Sequence, residues 1–279
     1  MKIKTKDIIC PETKIKCKVA IHNDNEYKLN IAVSPYDERD WNATLCMVPL
    51  VQSGPLPDIL DYRSHLGPAR SQEKEGSCAA FASCAMKEVQ ENIDLGFKGY
   101  FAPQFVYNQR EGLKTGKGGM YTREIMNILY NVGVVREKQY QYGTTEQITP
   151  ELLKEASNFK INHYARVNSV MDAKTALFQT GPLLLAIPVY GTSDMARMWF
   201  PNGRMVGGHL MCIVGYTKDS FIVRNSWGAG WNDNGYCYFP FDDWAYAWEV
   251  WATTDAESKD VPPEMLLGSV NFMGEKIKK

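Results

Sequence analysis

The stretch Ser71-Gln72-Glu73-Lys74-Glu75-Gly76-Ser77-Cys78-Ala79-Ala80-Phe81, SQEKEGSCAAF, sets one thiol behind Gly-Ser, with a glutamine six positions upstream. Phe81, Ala85, Met86, Val89 and Ile93 then follow helical spacing and Gly96 gives a stop signal, so Cys78 falls at the mouth of a helix. A thiolate, not a thiol, is the nucleophile, and unpaired N–H groups at a helix start favour negative charge. Acyl transfer by such a thiol also needs a base, a group that orients the base, and donors for the oxyanion. The side-chain amide of Gln72 and the backbone N–H of Cys78 are the local donors; the base must come from elsewhere.

Far downstream lies GGHLMCIVGYTKDSFIVRNSWGAGWNDNGYCYF, residues 207–239. His209 follows two glycines at the start of an apolar strand, and Asn225 ends the next one after a turn at Thr217 to Ser220. A hairpin would bring the two side chains together. An Asn carbonyl oxygen accepting from one ring N–H fixes the tautomer and leaves the other nitrogen to face the thiol. Gly207 and Gly208 leave room beside the imidazole for a substrate backbone.

His209 and Asn225 follow Cys78 by 131 and 147 residues, and with that spacing the chain resembles the papain-like cysteine proteases. The resemblance covers residues 57–262. It rests on LDYR before the loop, Gln72, GSCAAF, the GKGG turn ending in Gly118-Gly119, GGHLMCIVGY and NSWGAGWNDNGY, in that order. It implies an α+β, two-lobed papain-like fold, with the nucleophile helix in a helical lobe and His and Asn in an antiparallel, barrel-like β lobe. It further implies Cys78 as nucleophile, His209 as general base and then acid, Asn225 as its orienter, Gln72 as oxyanion donor, and Trp227 as the shield over the His209–Asn225 contact. Gly118, Gly119, Met120, Tyr121, Ala186, Gly207 and Gly208 would line the substrate cleft. None is charged, so a substrate with an apolar side chain two residues before the cleaved bond is expected, since burying an unpaired cation costs several kcal/mol.

Two departures stand out. The cysteine usual three positions before the nucleophile is Glu75, and its usual partner before the Gly-Gly turn has become Gly116 or Lys117. The aromatic residue after the nucleophile is Ala79. The pattern looks closer to bacterial, archaeal or large-virus members than to lysosomal cathepsins.

Composition agrees with a globular protein: 279 residues, 44% hydrophobic and 23% charged. Thirty-one basic against thirty-two acidic residues give no broad phosphate-binding surface, so nucleic acid is not an expected partner. Nothing reads as a signal peptide or a membrane span. The seven cysteines are odd in number and form no C-x-x-C, which points to unpaired thiols in a reducing compartment. His22, His65, His163 and His209 are too scattered for a zinc site, and no cofactor is called for.

Three zones divide the chain: a β-rich N-terminal extension (1–56), the peptidase-like domain (57–262) and a tail (263–279). Within the domain, helical signals to about 180 precede short apolar runs from 182 to 250. The extension alternates at strand period in KIKCKVAIHN and YKLNIAVSP, which favours permanently docked strands over a removable, mainly helical prosegment. Of its segments, MVPLVQSGPLP is the one expected nearest the cleft, because it leads into the domain.

Each residue also has a bland reading. A cysteine among helical apolar neighbours is ordinarily a small buried hydrophobe, as expected of Cys84, Cys212 and Cys237; the joint spacing of Cys78, His209 and Asn225 is what lifts them above it. The chief alternative to a peptidase is a structural or scaffold protein keeping the fold with a relict site. A further one is acyl transfer to an amine, or trimming of chain ends.

Overall fold

The computed structural model describes residues 2–9, 16–43, 55–112, 119–191 and 193–256. The extension supplies β1 (Lys4–Ile9), β2 (Lys16–His22) and β3 (Asn25–Lys28), an antiparallel sheet in that order, and then the two-residue β4 (Ile31–Ala32). The run YKLNIAVSP is therefore not one strand: it breaks at Leu29–Asn30. The body begins with β5 (Leu60–Asp61), followed by α1 (Cys78–Leu95), α2 (Pro103–Tyr107), β6 (Met120–Tyr121), α3 (Thr122–Asn131), α4 (Pro150–Ala156), β7 (Ile161–Val167) and α5 (Val170–Thr180). The last elements are β8 (Leu183–Tyr190), β9 (Met205–Tyr216), β10 (Ser220–Arg224), β11 (Tyr236–Pro240) and β12 (Glu249–Asp255).

One seven-stranded antiparallel sheet, β11-β10-β9-β8-β12-β7 with β5 on β9, organises the body. Its central strands are buried on both faces. Leu183, Leu185, Ile187, Met211 and Ile213 enter one core with Trp199 and Phe239, while Leu184, Ala186, Leu210, Cys212 and Val214 meet Cys84, Met86 and Val89 of α1 in the other. Period-two side chains with two buried faces give the unbroken apolar runs seen in the sequence.

Helix α1 stops at Gly96, whose φ of 68° suits glycine and whose amide donates to Asn92 O at 2.9 Å. Helices α4 and α5 begin on side-chain caps, Thr149 Oγ1 accepting from Leu152 N and Ser169 Oγ from Asp172 N. The helical-then-sheet division fails at β7, which lies inside the helical zone yet pairs with β12 at the sheet edge. Its INHYARV carries Ile161, Tyr164, Ala165 and Val167 but not in period-two alternation, and so it gave no strand signal. Helix α5 was likewise without a sequence signal.

Candidate active site

Cys78 is the first residue of α1 and is buried. Backbone amides of Leu210, Ala79, Asn30 and Cys78 itself lie near its sulfur and favour its charged form. The hairpin of β9 and β10 supplies the next two groups: Arg224 pairs with Cys212, and Asn225, just beyond that pair, reaches His209 further along β9. His209 Nε2 lies 2.7 Å from Asn225 Oδ1, and the same oxygen accepts from Ser226 N at 2.8 Å. Oδ1 is thus the acceptor, Nε2 carries the proton, and Nδ1 is the free base, buried and without a hydrogen-bond partner among the described residues. Trp227 covers the pair, its ring 5.1 Å from the imidazole.

Gln72 is fully buried. Its Oε1 accepts from Ser226 Oγ at 2.7 Å, and its Nε2 donates to Glu75 O at 2.9 Å and to Lys28 O at 3.2 Å. Lys28 belongs to the extension, whose neighbouring residues reach the other catalytic groups as well. Tyr27 stacks on Trp227 with centroids 4.9 Å apart and donates its hydroxyl to Trp227 O. The Asn30 amide lies near the Cys78 sulfur, and Asn30 O accepts from Met120 N at 3.3 Å. Ile31 and Ala32 pair in parallel with Met120 and Tyr121. Residues 27–32 therefore form a strap across the thiol, the imidazole and Gln72.

The glycines of the cleft are sized for this strap. A Cβ on Gly119, where φ is 90°, would lie 2.1 Å from Asn30 O; one on Gly208 would lie 2.4 Å from both Ile31 O and the Trp248 ring. Gly207 faces Leu29 in the same way. Ile31 shares an apolar cluster with Met120, Ala186 and Trp248. Tyr121 is largely exposed at the rim, and Gly118 lies outside the described residues, as do residues 47–54 of MVPLVQSGPLP. The segment found in the cleft is thus 27–32, and β3 and β4 flank the part that crosses it.

Closure of the cleft alters its charge state. Burial pushes the Cys78 thiol up to about 11 and pulls His209 down to about 4. Four backbone amides near the sulfur offset only part of the cost of excluding water.

Beyond Ile31 the strap is tied down by charge. Asp40 accepts from Arg123 Nε at 2.7 Å and from Arg166 Nε at 2.8 Å, with Arg123 Nη2 also on Oδ2. The two guanidiniums hold its carboxyl below the ordinary range although burial opposes them. Ser34 N and Oγ both donate to Glu249 Oε1 at 3.0 Å, and Arg166 Nη1 reaches Glu249 Oε2 at 3.1 Å. None of Tyr27, Asn30, Asp40, Arg123 or Glu249 carried a sequence signal for the site. The alternation of YKLNIAVSP runs unbroken through Leu29–Asn30, where the strand ends, so it gave no hint either.

A two-lobed body with a cysteine at a helix start and a His–Asn pair on a facing hairpin is the architecture of a papain-like protein. The model of the papain family of cysteine proteases matches residues 56–243, and the chain belongs to that family. It is 27% identical over 215 residues to a cysteine protease of Blomia tropicalis, covering 68% of this chain and 63% of that protein. Peptidase 1 of Dermatophagoides pteronyssinus is 31% identical over 212 residues, 67% of this chain and 62% of its own length. The chain thus spans less than two thirds of these relatives. Xylellain, a cysteine protease from Xylella fastidiosa, shares the fold with a TM-score of 0.70 at 23% identity, over 82% of this chain and 96% of that one.

Proposed function

We propose that the protein is a cysteine-type endopeptidase that hydrolyses peptide bonds through an acyl-enzyme on Cys78, and that residues 27–32 keep it latent. One observation carries the reading: His209 Nε2 is committed to Asn225 at 2.7 Å, which leaves Nδ1 as the base for a sulfur lying by the amide of the next residue, Leu210. With the strap displaced, water and a peptide enter and the proton passes from Sγ to Nδ1. The thiolate attacks the carbonyl, and the oxyanion draws on Gln72 Nε2 and the Cys78 amide. Lys28 O now occupies the Gln72 donor, as a substrate carbonyl would. The imidazolium then protonates the leaving amine, and water releases the acyl group.

Ile31 supports an apolar preference two residues before the cleaved bond, since its pocket partners Met120, Ala186 and Trp248 carry no charge. Cys78, Cys84, Cys212 and Cys237 are free thiols, in keeping with a reducing compartment, and a loop without the usual disulfide groups the chain with non-lysosomal members of the family. The test uses fluorogenic peptides varied at that position. The full chain should cleave Leu, Val or Phe peptides faster than Arg peptides, and Cys78→Ala should lose about 10⁴-fold or more in turnover. Undiminished turnover by Cys78→Ala would refute the assignment; an Arg preference would refute the pocket.

A further inference from the structure

Ser77 stands at the N-cap of α1, where a serine oxygen ordinarily accepts from an amide of the first turn. Here it makes no such bond. Its hydroxyl lies 2.8 Å from the Tyr142 hydroxyl, which is itself 2.6 Å from the main-chain carbonyl of Gln72. Because that carbonyl can only accept, Tyr142 donates to it and Ser77 donates to Tyr142. A single phenol therefore ties together both ends of the loop that carries Gln72 and leads into Cys78.

The phenol is itself held. Tyr142 N donates to Glu137 Oε1 at 2.8 Å, its ring meets Phe81 edge-on at 4.9 Å, and Gly143 N donates to Gln104 Oε1 at 2.9 Å. Gln104 Nε2 in turn reaches Glu75 Oε1 at 3.4 Å. Residues 71–77 contain no cysteine that could brace them covalently. The loop is buttressed from behind by hydrogen bonds, and those of Tyr142 fall on the two residues that matter most.

We propose that Tyr142 is a positioning residue for oxyanion stabilisation. It fixes the main chain of Gln72, and hence the aim of that side-chain amide. It also draws the Ser77 hydroxyl away from the cap, so the first-turn amides of α1 stay free for developing negative charge. The inference rests on the roles proposed for Cys78 and Gln72.

Tyr142→Phe keeps the ring on Phe81 and removes both hydroxyl contacts. The measurement is turnover of the full chain, with active sites counted by a peptidyl epoxide. In Tyr142→Phe, kcat should fall on the order of 10- to 100-fold with KM changed less than about twofold, because a misaimed donor costs less than a lost one. In a Gln72→Ala background the same substitution should cost about twofold at most, since the donor it aims is already gone. An unchanged kcat, or an equal fold-loss in both backgrounds, would overturn the proposal, the latter marking a general structural role. Ser77→Ala, which removes only one contact, should lower kcat a few-fold with KM unchanged and serves where Tyr142→Phe folds poorly. Turnover surviving Cys78→Ala would instead sink the underlying catalytic reading.

Discussion

Cys78, His209 and Asn225 project from elements buried on every side, whereas residues 27–32 lie over the same cleft and are secured chiefly at their two ends. The first region is set by the core: β9 and β10 sit between two apolar clusters, and α1 buries every residue from Cys78 to Glu91. The second is set by a Tyr27–Trp227 stack at one end and by Asp40 between two arginines at the other. Between them the contacts run largely from backbone to backbone or backbone to glycine. A core-built site under a segment tied mainly at its ends is what that difference describes, and the two regions should respond to different changes.

The largest effect should come from the first region. Gln72→Ala removes the proposed oxyanion donor and should slow turnover about 10² to 10³-fold. Cys78 should stay alkylatable, because the groups that favour its charged form are nearby backbone amides and not Gln72. Steady-state kinetics beside an alkylation time course checks both halves, and equal losses in the two would break the distinction between donor and nucleophile.

A smaller effect, of opposite sign, should come from the cover. Asp40→Ala leaves two guanidiniums without their shared carboxylate and should raise the initial rate of the full chain roughly tenfold. Acid should act similarly. Because the folded pKa of Asp40 is depressed, its contribution is complete above about pH 4, the unfolded value, and is lost as pH falls through the lowered one. Brief exposure below about pH 4 should therefore activate the wild type, while exposure at pH 5 should not. Equal rates for wild type and Asp40→Ala would mean that the arginine pair does not hold the strap.

The smallest effect belongs to the far end of α1. Burial, with help from Asp255, raises Glu91 to about 7 despite Lys87, its partner at 2.8 Å. A raised carboxyl stabilises the fold below its unfolded value near 4.5, and that contribution fades as pH climbs through 7. The melting temperature should fall by a few degrees between pH 5 and pH 8, and Glu91→Gln should flatten the drop. Scanning calorimetry at the two pH values decides it, and turnover should be unaffected.

How legible each region was stems from the same contrast. The candidate site could be read because its proposed chemistry requires those side chains: a thiol at a helix start, with a histidine on one strand and an asparagine just past its partner strand. The ends of β8 and the cap at Gly96 were legible because apolar runs and glycine breaks express themselves locally. The strap was not, since backbone amides and carbonyls carry its central contacts and every residue has those. Its strand-like alternation in YKLNIAVSP spans the end of β3, the break at Leu29–Asn30 and β4, with Leu29 and Ile31 both buried. Asp40, Arg123 and Glu249 are distant in sequence and looked like ordinary surface charges until the fold brought them together. Tyr142 was silent for a similar reason, because its hydroxyl acts on a main-chain carbonyl and on a serine expected to serve as a cap.

The most direct test is mass spectrometry of the intact full chain after timed exposure to a peptidyl epoxide at neutral pH, in wild type and Asp40→Ala. The account predicts one adduct, on Cys78, forming slowly in the wild type and about tenfold faster when the strap is loosened. Labelling of Cys84, Cys212 or Cys237 in place of Cys78, or equally fast labelling of Cys78 in both proteins, would contradict a latent thiol closed over by residues 27–32.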